Sequence, residues 1–236
     1  MGHAATRPCR LTWSAALRLG RVSNLPTVWT NALAGVVLAG GDRAGAAFAV
    51  LLLGLSLLYV AGMYLNDWFD AGIDAREQPS RPIPSGAAEA GMVLAAGLAL
   101  LGTGWLLVAS LGGCAALSGL ALAGAILLYD AWHKGNPAGP FIMGLCRGLV
   151  YVTAALALTG TVTPPVLVGA GLLLGYIVGV SIAAKREASW PVGLLIAGAS
   201  VLDATVVAVA GAPELIVPCL AAFALTLVLQ RHIPGT

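Results

Sequence analysis

Asn66, Asp67, Asp70 and Asp74 are the residues of this chain whose types and spacing could do chemistry. Three of its ten acidic residues fall within eight positions, where a long apolar run gives way to polar sequence. At 100° per residue, Asn66, Asp70 and Asp74 share one stripe of a helix, and Asp67 lies beside Asp74. Hard cations such as Mg²⁺ take oxygen ligands, keep several waters, and are held by one or two carboxylates plus substrate phosphates. Such a stripe can dock a metal diphosphate. The plainer alternative is a solvated loop, Trp68 to Gly86, whose charges stop a helix from sliding into lipid. Arg81-Pro82-Ile83-Pro84-Ser85-Gly86 closes the segment as a stiff turn, which favours the first reading.

The elements that must carry this stripe follow from composition. The chain has 236 residues, 59% hydrophobic and 9% charged, with a mean hydropathy of +0.92. A soluble domain would be about a quarter charged, so this is a multi-pass membrane protein. Apolar runs of about twenty residues match a roughly 30 Å hydrocarbon core, whereas barrel strands would alternate over about ten. The expected class is therefore all-α. Its 31 glycines suit helices that approach closely within a bilayer. A net charge of +2 gives no reason to expect a nucleic-acid partner. Cys9, Cys114, Cys146 and Cys219 are scattered and read as inert thiols.

Eight spans are predicted: Ser23 to Gly40, Ala44 to Met63, Ala87 to Ser110, Gly112 to Leu128, Gly139 to Thr159, Pro164 to Ala184, Trp190 to Ala210 and Pro213 to Leu229. Residues 1–22 form a polar tail, with an interfacial helix from Arg10 to Gly20 and no cleaved signal peptide; residues 23–236 form one membrane domain. Ten Lys and Arg side chains fall on one side of these spans and Arg43 alone on the other. The asymmetry predicts an inner-membrane protein with both termini and the acidic segment in the cytoplasm.

Two charges fall within the bilayer. Arg147 lies roughly 12 Å and Asp203 roughly 20 Å along their spans from the cytoplasmic edge at 1.5 Å per residue. Ionisable groups there cost several kcal/mol unless paired or watered, so both should face the bundle interior. Arg147 could reach the acidic stripe, complete a diphosphate pocket, or pair with Asp203. His133 reads as a solvated loop residue.

Asn66-Asp67-x-x-Asp70-x-x-x-Asp74 with its trailing Arg-Pro-x-Pro-Ser-Gly turn closely resembles the first aspartate-rich motif of the UbiA superfamily of intramembrane prenyltransferases. The likeness continues through Arg21-x-x-Asn24-x-Pro26-Thr27 and through Tyr129 with Lys134. It implies a bundle of, usually, nine transmembrane helices that transfers an isoprenoid chain from an allylic diphosphate to an acceptor, often aromatic. By the resemblance, Asn66, Asp70 and Asp74 hold Mg²⁺ against the diphosphate and Asp67 supports them. Arg81 and Lys134 neutralise the leaving group, and Tyr129 lines the pocket.

The chain departs from the family after its sixth span. Members carry a second aspartate-rich motif there, and this sequence has Ser181-Ile182-Ala183-Ala184-Lys185-Arg186-Glu187. The ligands of a second Mg²⁺ are missing, and Lys185 and Arg186 could pair with diphosphate oxygens in its place. That loss, with Tyr129-Asp130-Ala131-Trp132-His133-Lys134 and Met143-Gly144-Leu145-Cys146-Arg147, resembles the UbiA-like EboC branch, which is implicated in moving a metabolite precursor to the periplasm. Two readings follow: an Mg-dependent prenyltransferase, or a non-catalytic, transport-associated member that binds a lipid or metabolite precursor for partner proteins of the same gene cluster.

Overall fold

The computed structural model describes residues 11–185 and 192–233. Helix α1 (Trp13–Leu19) starts at Thr12, whose Oγ1 accepts the Ala15 N–H. It buries Leu19 and exposes Trp13 by 81%. After a 3₁₀ turn (Val22–Asn24) come α2 (Leu25–Leu38), α3 (Ala46–Glu77), α4 (Ala90–Ala109), α5 (Gly113–Trp132), α6 (Gly139–Thr159) and α7 (Pro164–Lys185). The chain then forms α8 (Val192–Ala197), α9 (Ala199–Val209), a second 3₁₀ turn (Pro213–Leu215) and α10 (Ile216–Gln230). The described residues form no strand, only an isolated bridge between Leu11 and Ala88. The expected all-α class holds.

Each of the eight expected spans coincides with helix, with three differences in detail. Seven segments are long and apolar enough to cross a membrane. The first expected span is α2, at 14 residues shorter than the roughly 20 that crossing a bilayer requires. It is buried along most of its length because α3, α6, α7, α9 and α10 surround it. The seventh span is broken at Gly198 into α8 and α9, and Trp190 lies outside the described residues.

The third difference bears on function. The expected loop from Trp68 is helix as far as Glu77, so α3 is 32 residues long, about 48 Å at 1.5 Å per residue. That exceeds a 30 Å hydrocarbon layer by several turns, and the surplus carries the acidic stripe. Likewise α5 runs to Trp132, placing Tyr129 and Asp130 on a helix.

Close backbone approach holds the frame. Gly54 of α3 and Gly104 of α4 face each other so closely that a Cβ on Gly104 would lie 2.8 Å from the Gly54 carbonyl oxygen. Gly35 of α2 meets Tyr151 of α6 in the same way, which sets the polar residues of α2 against α6. One apolar cluster joins α2, α3, α5 and α6 through Val28, Leu55, Leu122 and Val150; a second joins α2, α6, α7 and α9 through Ala34, Tyr151, Leu173 and Val207.

Candidate active site

The stripe on α3 points inward. Asn66, Asp67, Asp70 and Asp74 are all buried, Asp74 to 1% exposure, although they sit beyond the most apolar part of the helix. Four bases from three other segments make this tolerable. Arg21, in the turn before α2, reaches Asp67 Oδ1 at 3.0 Å. Arg81, in the turn after α3, lies 2.9 Å from Asp74 Oδ2 and 3.5 Å from Asp67 Oδ1. Lys134, just past α5, lies 3.5 Å from Asp70 and 3.7 Å from Asp74. His133 Nε2 lies 3.5 Å from Asp70 Oδ2.

The expected solvated role of His133 is therefore corrected. Its ring stacks on Tyr129 with centroids 4.6 Å apart, and Nδ1 donates to the Tyr129 carbonyl at 3.0 Å. Burial discourages a charged imidazole, but the Asp70 carboxylate and the Tyr129 carbonyl outweigh it, and the His133 pKa is raised. Asp130, Tyr129 and His133 line the same cavity, and Asp130 is a site residue that the sequence reading passed over. It is buried, accepts from Asn66 Nδ2 at 3.3 Å through Oδ1, and leaves Oδ2 without a hydrogen bond. The signal was present in sequence: Asp130, His133 and Lys134 stand at i, i+3 and i+4, one face of a helix end.

Behind these charges lies a cavity of about 390 Å³. Its lining passes from Arg21, Arg81 and His133 to Leu55, Leu58, Leu122 and Ile126, with Met143, Arg147 and Val150 of α6 opposite. The far wall from α7 shows Ile177, Val180, Ser181 and Ala184, with no carboxylate among its described residues. Asp67, Asp70, Asp74 and Lys134 stand just behind the lining, so the face offered to the cavity at this end is mainly cationic.

Among the described residues, no three His, Cys, Asp or Glu side chains converge as a ready-made metal centre. The donor chemistry nevertheless fits a hard divalent ion. Asp74 Oδ1 and Asp130 Oδ2 are buried oxygens without hydrogen bonds, beside the amide of Asn66 and the carboxylate of Asp70. Asp67, by contrast, is committed to Arg21 and Arg81, which makes it a positioning group. Lys185 ends α7, its side chain is not described, and Arg186 lies outside the described residues.

Arg147 neither reaches the acidic stripe nor pairs directly with Asp203. Its Nη1 donates to Thr27 Oγ1 and to Asn31 Oδ1, both at 3.1 Å, and its guanidinium lies 5.4 Å from the Tyr59 ring centroid. Asn31 relays to Asp203 at 2.7 Å, and Asp203 also accepts from the Tyr151 hydroxyl. As expected of an ionisable group at this depth, Asp203 is fully partnered inside the bundle.

The UbiA prenyltransferase family matches residues 27–233 of this chain. The digeranylgeranylglyceryl phosphate synthase of Methanoregula boonei is 42% identical over 94 residues, 38% of this chain and 33% of that protein. The bacteriochlorophyll synthase 33 kDa chain of Rhodobacter capsulatus is 34% identical over 151 residues, 60% of this chain and 44% of that one. The chain thus matches less than half the length of these two curated relatives. Among solved structures, a digeranylgeranylglyceryl phosphate synthase superposes with a TM-score of 0.64 at 22% identity, over 93% of this chain and 88% of that one. A UbiA homologue from Archaeoglobus fulgidus bound to DMAPP and Mg²⁺ gives 0.61 at 16% identity, over 92% and 86%. At such identities the likeness is one of fold. With the family matched along nearly the whole bundle, and with the α3 stripe and its bases gathered at one end of the cavity, the chain belongs to the UbiA prenyltransferase family.

Proposed function

We propose that this protein is a membrane prenyltransferase that takes an isoprenoid diphosphate, headgroup toward the α3 stripe and chain within the cavity, and transfers the chain to an acceptor. One observation carries the reading: an apolar chamber of about 390 Å³ whose charged end is built from Arg21, Arg81 and His133, backed by buried carboxylates. Long apolar tails and doubly charged headgroups need these two surfaces side by side. The Lys and Arg asymmetry supports a topology in which this end of the bundle, and both termini, would face the cytoplasm from the inner membrane.

Asn66, Asp70 and Asp74 would hold one Mg²⁺, with Asp130 adjacent, and the ion's charge would be offset against the diphosphate. Arg81 and Lys134, already fixed by Asp67, Asp70 and Asp74, stabilise the negative charge that grows on the leaving group. Lys185 and Arg186 would pair with diphosphate oxygens in place of a second ion. The bond between the prenyl C1 and the diphosphate oxygen breaks, and its electron pair leaves with the diphosphate. An acceptor atom supplies the pair for the new bond to C1 and gives up a proton to water at the charged end. Leu55, Leu58, Leu122 and Ile126 meanwhile keep water from the allylic cation.

The test is equilibrium binding of radiolabelled geranyl and geranylgeranyl diphosphates to purified protein, with and without Mg²⁺. We expect Mg-dependent binding that Asp70→Ala abolishes, since removing one ligand under-coordinates the ion. Equal affinity in that variant would rule out a metal diphosphate site. A double change of Lys185 and Arg186 to Gln, made in the parent, should weaken binding; no change there removes them from the site. The missing carboxylates on α7 favour one second reading, a non-catalytic EboC-like member that binds a prenyl or other lipid precursor for partner proteins. Tight diphosphate binding without turnover across a panel of acceptors would select it.

A further inference from the structure

Asp130 is the one carboxylate among the described residues that lines the cavity. The three acids of the α3 stripe stand behind the lining and are engaged by bases: Asp67 by Arg21 and Arg81, Asp70 by His133 and Lys134, Asp74 by Arg81 and Lys134. Among the described residues no Lys, Arg or His forms an ion pair with Asp130. The residue is 4% exposed; Oδ1 accepts from Asn66 Nδ2 at 3.3 Å, and Oδ2 has no hydrogen-bond partner. An ionised oxygen in that position calls for a cation, and a protonated one would be a donor without an acceptor, so the described side chains satisfy neither state.

The packing of α5 along α3 sets this position. Gly62 and Ile126 meet so closely that a Cβ on Gly62 would lie 2.9 Å from Ile126 Cγ2. One turn on, Asn66 meets Asp130, and a turn further Asp70 meets Lys134 at 3.5 Å, each pair at the same offset of 64 residues. The two helices therefore run parallel and in register, and the α5 side offers first a carboxylate and then an ammonium to successive positions of the stripe. Because an ionised carboxylate only accepts, the Asn66 amide turns Nδ2 to α5 and keeps its carbonyl oxygen for another partner.

We propose that Asp130 Oδ2 is a direct ligand of a hard divalent cation held between α3 and α5, and that Asp130 is the residue presenting this cation to the cavity. Asn66, Asp70 and Asp74 supply oxygens from the α3 side. Those of Asp70 and Asp74 are contested by Arg81, His133 and Lys134, whereas Asp130 adds a cavity-lining oxygen that no described base holds. The α7 wall, without a carboxylate among its described residues, adds none. An all-oxygen set suits Mg²⁺ or Mn²⁺. The assignment rests on the prenyltransferase reading in taking a diphosphate as the cation's other partner.

Titration of the full chain in detergent with Mn²⁺, read by electron paramagnetic resonance, tests this with and without the unreactive geranyl thiolodiphosphate. Asp130→Asn keeps the shape and removes the charge; it should lower Mn²⁺ affinity at least about tenfold. Its metal-free thermal midpoint should equal or exceed the parent's, since a buried carboxylate without a counter-charge is relieved, while the rise in midpoint that Mn²⁺ gives the parent should shrink. A purely structural acid would show the reverse, a lower metal-free midpoint with Mn²⁺ binding intact. Asp130→Cys should lose Mn²⁺ and bind Cd²⁺ more tightly than the parent, which carries Cys146 in the same cavity, with thiolate-to-cadmium absorption in the ultraviolet. If Asp130→Asn does not fold, that exchange of metal preference decides. Parent-like Mn²⁺ affinity in Asp130→Asn alongside its loss in Asp70→Ala overturns the Asp130 assignment and leaves the metal diphosphate reading standing. A parent that binds no Mn²⁺, with or without the thiolodiphosphate, sinks both.

Discussion

Arg21 holds a backbone φ of 41°, the one non-glycine residue with positive φ among the described residues. A side chain in that region costs about 1–2 kcal/mol, and the conformation delivers the guanidinium to Asp67 and to the cavity wall. Arg21→Gly relieves the backbone and removes the ion pair, effects of opposite sign on stability. Its thermal midpoint should stay within a few degrees of the parent, while geranyl diphosphate affinity falls at least tenfold in an equilibrium binding assay. A large drop in midpoint with unchanged affinity would make Arg21 structural. His133 offers a second measurement. Its folded-state pKa lies above the ordinary value of about 6.5. The imidazolium's attraction to Asp70 is therefore fully present below that ordinary value and is lost as pH climbs through the raised one. Between pH 6 and 8.5 the thermal midpoint of the parent should fall more than that of His133→Gln; parallel profiles would show that the pair adds nothing.

Helix α3 does two jobs along one axis: its first five turns pack as a membrane span, and its last turns present the acids inward. This works because segments distant in sequence, the turn before α2, the turn after α3 and the end of α5, converge on it with Arg21, Arg81, His133 and Lys134. The helices can come that near only where side chains are absent. A Cβ on Gly35 would lie 2.6 Å from the Tyr151 carbonyl oxygen, which neither backbone can yield easily. Gly35→Val should therefore cost more than the usual 1–3 kcal/mol of overpacking, read as a drop in thermal midpoint. Gly72, whose Cβ would meet nothing within 4 Å, is the matched control.

The whole molecule is a ring of apolar helices around a chamber that is charged at one end and carries a single guanidinium within. On the prenyltransferase reading, chamber width, set by side chains from α3, α5 and α6, would limit the length of chain admitted. Ile126 lines the cavity on α5 and packs beside Gly62. Ile126→Trp should leave dimethylallyl diphosphate binding intact while excluding geranylgeranyl diphosphate in a competition assay. Equal loss of both donors would place the chain elsewhere. The Asn31, Asp203 and Tyr151 network ties α2, α6 and α9 together at the core of this ring. Deleting Asp203 orphans two buried donors, at about 1–3 kcal/mol each.

Sequence alone determined the class, the approximate positions of the apolar segments and the residues of the stripe. Hydropathy and helical spacing are local properties, written into consecutive residues such as Asn66 to Asp74. It also marked Arg147 and Asp203 as inward-facing, because charge within a bilayer has few other options. It could not decide where α3 ends, since the bases that meet its buried acids, Arg21, Arg81, His133 and Lys134, come from segments whose approach is tertiary. Nor could it assign His133 and Asp130, whose roles depend on α5 lying against α3. Arg147 shows the division most clearly. One residue, one depth and several partners were open in sequence, and the close contact of Gly35 with Tyr151 selected Thr27 and Asn31, leaving the guanidinium's other edge free.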